Sequence, residues 1–374
     1  MGKSLFRRAL GASALALTLA GCAASDGPVK IGIAGPFTDP VGRPMLLAAQ
    51  MAVAEINAAG GINGRPVELV AHDDFGEPDS AVSVAGRLYG EGVSAVVGHL
   101  WSGTTLAAAP IYNGGTDPVV AVSPSSSSPD VSDAGDYIFR VCPSDNAHGR
   151  ALAGWVRNSL KLDRGTVFYL NDSYGRGVRQ TFVSEFERMG GSVLAVNPYR
   201  GSEPDLSPYV DRLARDGRSQ FMVMAGNRGE AEALLQQSAA RSVKLPLLGG
   251  DGLEGLETSP LAEGSYQTAA YLPSVETEAN RRFVQAWHAR YPDAGMPNQP
   301  AAATYDAVNL LADVMKDAGT GRAEVRDALA ARDARRPFDG VTGRIAFDSL
   351  GDVPSRQVYI AVVRDRALRL AGQQ

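Results

Sequence analysis

Residues 29–61 read VKIGIAGPFTDPVGRPMLLAAQMAVAEINAAGG, and three patterns follow one another within them. Val29, Ile31 and Ile33 alternate with a period of two, which reads as a strand. Gly35 and Pro36 end it, and Pro40, Gly42 and Pro44 keep the next stretch irregular. From Met45 the apolar positions Ala49, Met51, Ala52, Val53 and Ile56 fall at helical spacing. Gly60 and Gly61 then supply the positive φ at which a helix stops.

Outward from this unit the cycle repeats. Strands are expected at 67–71, 95–98 and 119–122, with helices at 79–89 and 104–112 between them. The pattern pauses near Tyr137–Arg140 and restarts with a helix over 145–160 and a strand over 166–170. Helices at 178–189, 207–215 and 230–240 then alternate with strands at 192–196, 221–224 and 245–248. Such alternation argues for parallel sheets covered by helices, an α/β fold. A chain of 374 residues exceeds one ordinary core, so two lobes are expected. After 266–272, helices at 278–290, 301–317 and 323–331 lack intervening strands and are assigned back to the first lobe. Residues 343–347 and 357–364 read as strands joined by a turn at Gly351–Asp352. The expected division is 29–143 with 273–345 for the N-terminal lobe and 144–272 with 346–374 for the C-terminal lobe.

The first 22 residues read as targeting. Lys3, Arg7 and Arg8 precede an apolar stretch, Ala9 to Ala20, that is too short to span a bilayer. It ends Leu19-Ala-Gly-Cys22, similar to a bacterial lipobox in which the Cys22 thiol takes the lipid; an ordinary signal cleaved near Ala23 or Ala24 is the alternative. Residues 23–28 form a short polar tether. With Cys22 acylated, Cys142 is a lone thiol, read as buried and inert.

Charge and motif content exclude several classes. Lys+Arg 36 against Asp+Glu 41, with no dense basic run, gives nucleic acid little to bind. His72, His99, His148 and His288 are too scattered for a zinc motif, and neither G-x-S-x-G nor a P-loop occurs. Gly250-Asp-Gly-Leu-Glu-Gly255 matches a dinucleotide fingerprint formally. However, Pro260 and Gly264 interrupt the helix it needs, and Asp251 would repel a pyrophosphate. No cofactor, no metal and no enzymatic activity are expected.

The remaining polar residues sit at carboxyl ends of strands, where open α/β sheets bind ligands. Ser102-Gly-Thr104-Thr105 opens a helix, and its hydroxyls and free N–H groups suit a carboxylate; a simple N-cap needs the same residues. The Ser123–Pro129 run, with Ser125 and Ser127, reads either as a flexible low-complexity loop or as the rest of that anion site. Asn171–Gly175, with Tyr174, and Gly226–Gly229, with Asn227, occupy equivalent ends in the second lobe and also suit plain turns. Asp251, flanked by glycines, suits an ammonium or an Asx turn.

Taken together, Ile31–Pro36, Glu55–Pro66, His72–Asp74, Val97–Leu100 with Ser102, Ser123–Pro124, Phe139–Arg140, Asp172–Gly175 and Gly249–Gly252 resemble a known family. It is the extracytoplasmic solute-binding proteins of ABC transporters for leucine, isoleucine, valine and related ligands. The resemblance implies a type I periplasmic-binding-protein fold, two Rossmann-like lobes joined by a three-segment hinge and closing on an amino acid delivered to a permease. It implies that Ser102 and Ser127, with the backbone near Ser125, hold the ligand carboxylate and part of its ammonium. Tyr174 would cover the ligand, and Asp251 would pair with its ammonium. Gly76 and Trp101 fall where leucine-type members often carry a disulfide pair, and both cysteines are absent. Trp101 and Asn227 would line the side-chain pocket. The expected protein is a monomeric, membrane-anchored lipoprotein on the extracytoplasmic face. The same fold also serves ligand-sensing lipoproteins that act on a signalling or cell-wall partner.

Overall fold

A computed structural model describes residues 27–202 and 204–372. The targeting segment, Cys22 and residues 23–26 of the tether lie outside the described residues.

The first lobe begins with strand β1 (Val29–Gly35), helix α1 (Arg43–Ala58), β2 (Val67–Asp73), α2 (Pro78–Gly90), β3 (Ala95–Val97), α3 (Ser102–Asn113), β4 (Val120–Ser123) and β5 (Ile138–Arg140). The second continues with α4 (Asp145–Gly154), β6 (Arg164–Leu170), α5 (Ser173–Arg188), β7 (Ser192–Tyr199), α6 (Ser207–Asp216), β8 (Phe221–Ala225), α7 (Arg228–Ala239), β9 (Leu247–Gly249) and β10 (Tyr266–Ala269). Then come α8 (Glu278–Arg290), α9 (Gln299–Ala318), α10 (Arg322–Ala330), β11 (Phe338–Gly340), β12 (Gly343–Ile345), β13 (Tyr359–Arg364) and β14 (Ala367–Leu370).

The first sheet is wholly parallel in the order β2-β1-β3-β4-β5, and the second repeats that order as β7-β6-β8-β9-β10 before adding β13 and β14 antiparallel. Each sheet is apolar on both faces, as helix-covered parallel strands must be. Ile31, Ile33, Val97 and Val122 pack under α1, α9 and α10, whereas Val96 and Ala121 face α2 and α3. In the second lobe Met222 and Met224 face α6 and α7, and Val167 and Val223 face α4 and α5. Full burial of each such valine, isoleucine or methionine contributes roughly 1.5–3 kcal/mol.

Several local expectations change. Arg43 and Pro44 already belong to α1, because proline's fixed φ and missing N–H suit a first helical turn. The pause at Tyr137–Arg140 is a fifth strand, β5, too short for its period to be legible. α5 starts at Ser173, five residues early, because Asp172 caps it by accepting the Gly175 N–H at 2.7 Å. Gly343–Ile345 pairs with Phe338–Gly340, not with the strand at 359–364, which instead joins the second sheet. Phe347 and Val353 still pack in the first core. The formal dinucleotide match opens only two single 3-10 turns, Asp251–Leu253 and Leu256–Thr258.

Candidate functional site

In both sheets the order of strands reverses beside the first of its lobe, at β1/β3 and at β6/β8, and the polar loops converge outside these carboxyl ends. Trp101 is the N-cap of α3 and makes no side-chain capping bond, so the N–H groups of the first turn keep their anion-binding capacity. Thr104 donates its hydroxyl proton to the Trp101 carbonyl at 2.8 Å, which closes its own turn and leaves that proton unavailable to a ligand.

The serine run is an ordered loop. The Ser123 hydroxyl donates to the His99 carbonyl at 2.7 Å, and beside it the Thr105 and Ser126 hydroxyls bond each other at 2.7 Å within 3.3 and 3.4 Å of that oxygen. The Ser128 N–H donates to Ser102 Oγ at 3.1 Å. His99 is itself held from both ring nitrogens, by Asp74 at 2.5 Å and by the Tyr112 hydroxyl at 2.9 Å, with all three residues buried. From below, buried Arg140 donates to the Ser126 and Ser128 carbonyls at 3.3 and 2.8 Å and pairs with Asp352 at 2.7 Å. A carbonyl hub and a guanidinium thus fix the backbone that low complexity alone would leave free. Ser127 is buried, and the half-buried Ser125 donates to Gln299 Oε1 at 3.1 Å.

The second lobe contributes opposite chemistry. Tyr174, in the first turn of α5, donates to Asp251 Oδ1 at 3.1 Å and accepts the Gly252 N–H at 2.8 Å. A Cβ on Gly250 or Gly252 would lie 2.5 or 2.7 Å from that phenol oxygen, so the glycines admit Tyr174 itself. Asp251 Oδ2 lies 3.5 Å from His148 Nε2. Its two oxygens therefore face Tyr174 and His148 and close no Asx turn.

Two further acids surround this group. Asp145 is fully buried on α4, and neither carboxylate oxygen has a hydrogen-bond partner. Burial first, then the Asp251 charge, raise its pKa well above the usual range, against the pull of Arg140. Burial, then Glu257 and Asp251, push Glu254 up to about 8, although its carboxylate accepts the Gln299 N–H. Burial also pushes the Cys142 thiol up to about 12, so it is not a nucleophile at neutral pH.

Trp101 stacks on Gly76, where a Cβ would come 3.0 Å from Nε1, and so fills the ground between those two positions. Asn227 is the N-cap of α7, its N–H donating to the Glu230 carboxylate at 3.0 Å. The halves of the site touch where Ser128 Oγ donates to the Ser173 carbonyl at 3.2 Å and where the Asp145 N–H donates to the Ser127 carbonyl at 2.8 Å.

Sequence reasoning missed Asp145, His148, Glu254 and Gln299. One signal was present: Asp145 and His148 stand one turn apart just after the Ser144 cap, which puts an acid and an imidazole on one helix face. Among the described residues there is no cluster of three metal-ligating side chains and no helix long and apolar enough to cross a membrane.

Residues 28–367 match the family described as periplasmic binding protein. The leucine-, isoleucine-, valine-, threonine- and alanine-binding protein of Pseudomonas aeruginosa is 30% identical over 334 residues, 87% of each chain. A leucine-binding protein from Thermotoga maritima superposes with a TM-score of 0.84 at 26% identity, covering 92% of this chain and 98% of that one. An ABC transporter substrate-binding protein from Desulfitobacterium hafniense, solved in complex with Leu, gives 0.80 at 29% identity, covering 92% and 99%.

Proposed function

The chain belongs to the periplasmic binding protein family, a family of binding proteins rather than enzymes, and from that premise we propose that it is the extracytoplasmic substrate-binding component of an ABC transporter, capturing an α-amino acid of branched-chain or related type. The observation that carries this reading is the pairing of unlike half-sites: hydroxyls and a helix N-terminus on one lobe, and Asp251 with Tyr174 on the other. A zwitterion is the ligand class that satisfies both.

In this reading Ser102, Ser127, the backbone near Ser125 and the N–H groups of α3 take the carboxylate, with Thr104 bracing their turn. Asp251 takes the ammonium, Tyr174 covers it, and Trp101 and Asn227 bound the side chain. In this reading the lobes are 29–143 with 273–345 and 144–272 with 346–374, except that the packing of Phe347 and Val353 in the first core supports a third crossover beyond Val353 rather than at 346. Closure about these crossovers presents the loaded form to the permease, and acylated Cys22 tethers a monomer to the membrane.

Hydrogen bonds to charged groups contribute roughly 1.5–3 kcal/mol each. Four or five of them, less ordering costs, bring micromolar binding, about −8 kcal/mol, within reach. The test is a thermal-shift screen against amino acids, their amides and small carboxylates. Ligand at 100 times Kd stabilises by about 2.7 kcal/mol. A shift confined to α-amino acids supports the assignment. A shift with carboxylates that lack an ammonium would remove Asp251 from it.

A further inference from the structure

His148 is buried on α4 and belongs to a chain of polar contacts crossing the second lobe. Its Nδ1 lies 2.8 Å from the hydroxyl of buried Thr268 on β10, and its Nε2 faces Asp251 Oδ2 at 3.5 Å with no hydrogen-bond partner. Asp251 continues the chain to Tyr174, and Tyr174 to the Gly252 N–H. One tautomer fits these neighbours. With the proton on Nδ1, the bare Nε2 lone pair would face a carboxylate. With Thr268 donating to Nδ1, Nε2–H points at Asp251.

We propose that His148 is the positioning residue for Asp251: neutral, it aims an N–H at the carboxylate and leaves the negative charge for the ligand ammonium, and protonated, it competes with that ammonium. The inference rests on the reading of Asp251 given above. The ring meets Asp251 from the loop after β9 and Thr268 from β10; Tyr174 from α5 lies beyond Asp251, Arg140 from β5 acts on the ring through its charge, and Asp145 stands one turn back on α4. Burial, foremost, lowers the His148 pKa in this closed arrangement; Asp251 pulls it up and Arg140 pushes it down. An open, hydrated cleft relieves the burial, so the free form protonates more readily. An ammonium arriving at Asp251 offsets the charge that favoured imidazolium and expels the proton. Affinity is therefore full above the free-form pKa and falls as pH drops through it.

The experiment is titration calorimetry of the purified chain with L-leucine, L-isoleucine, L-valine, L-threonine and L-alanine, continued with the tightest binder, in two buffers of different ionisation enthalpy. Between about pH 5 and 7 the parent chain is expected to release protons on binding and to lose affinity as pH falls. His148→Gln keeps an N–H donor but cannot titrate there, so it retains affinity at pH 8 and flattens the profile. His148→Leu loses about ten- to hundredfold at pH 8. An unchanged pH profile in His148→Gln, or parental affinity in His148→Leu, overturns the proposal. Should the variants not fold, absence of proton release by the parent chain overturns it alone. Parental affinity in Asp251→Asn, or no binding of any of the five amino acids, would instead show that the underlying reading of the site has failed.

Discussion

The backbone N–H of Gln299 donates to the Glu254 carboxylate at 2.9 Å, so the first turn of α9, from the first lobe, holds an acid of the second. The Gln299 side chain extends the connection, donating to the Pro124 carbonyl at 3.0 Å and accepting from Ser125 at 3.1 Å. A carboxylate at a helix N-terminus is favoured by the unpaired N–H groups and the dipole there. The loop after β9 is thereby tied to the Ser123–Ser128 loop, which is proposed to offer the carboxylate-binding groups.

Glu254 makes stability pH-dependent. Its pKa is about 8 in the folded chain and about 4.3 in an unfolded one, so the folded state binds more protons between those values and stability falls as pH rises through them. Asp145, Asp172, Glu230 and Asp306 are also raised and drift the same way, which a comparison of variants cancels. Melting temperatures of Glu254→Gln and the parent chain should agree near pH 4 and diverge progressively in favour of the variant up to pH 8. A constant gap would dissociate Glu254 from the pH response.

Asp251→Ala should weaken amino-acid binding by about 2–5 kcal/mol, because the ligand ammonium is left unpaired in a closed site. Calorimetry against the best ligand of the screen measures it directly, and parental affinity would exclude Asp251 from the site.

Ser102→Ala removes a hydroxyl that accepts the Ser128 N–H and is proposed to face the carboxylate. A loss of about 1–3 kcal/mol is expected for L-leucine. Leucinol, which lacks the carboxylate, should lose much less. Equal losses for the two would mean that Ser102 serves only its own loop.

Arg140→Met is expected to destabilise the fold by about 3–5 kcal/mol, since it leaves Asp352 and two serine carbonyls without their cation. Denaturant unfolding measures this; a loss under 1 kcal/mol would refute a structural role for the pair.

Cys22→Ser should move the expressed chain from the membrane to the soluble fraction, because no acyl chain can then be attached. Continued membrane association would rule out a lipid anchor at this thiol.

The lobes were legible because their signals are local. A period of two at Val29–Ile33, helical spacing from Ala49 to Ile56 and the stop at Gly60–Gly61 each depend on neighbours a few residues away, and the α/β alternation follows from repeating them. The same local logic put Ser102, Ser127, Tyr174 and Asp251 at strand ends. Short or interrupted elements escaped, as β5 did, because three residues carry too little period to read.

Tertiary structure alone decided the partners. Asp251 meets His148 and Glu254 meets Gln299 only after the second sheet is assembled and α9 has returned to the first. The Ser123–Ser128 run is held by the His99 carbonyl, Ser102, Arg140 and Gln299, all of them distant in the chain. Strand 343–345 chose the adjacent 338–340 over 359–364 because its own flank, Phe347 and Val353, stays buried in the first core. Such choices depend on which distant surfaces exclude water together, and no local period in the chain encodes them.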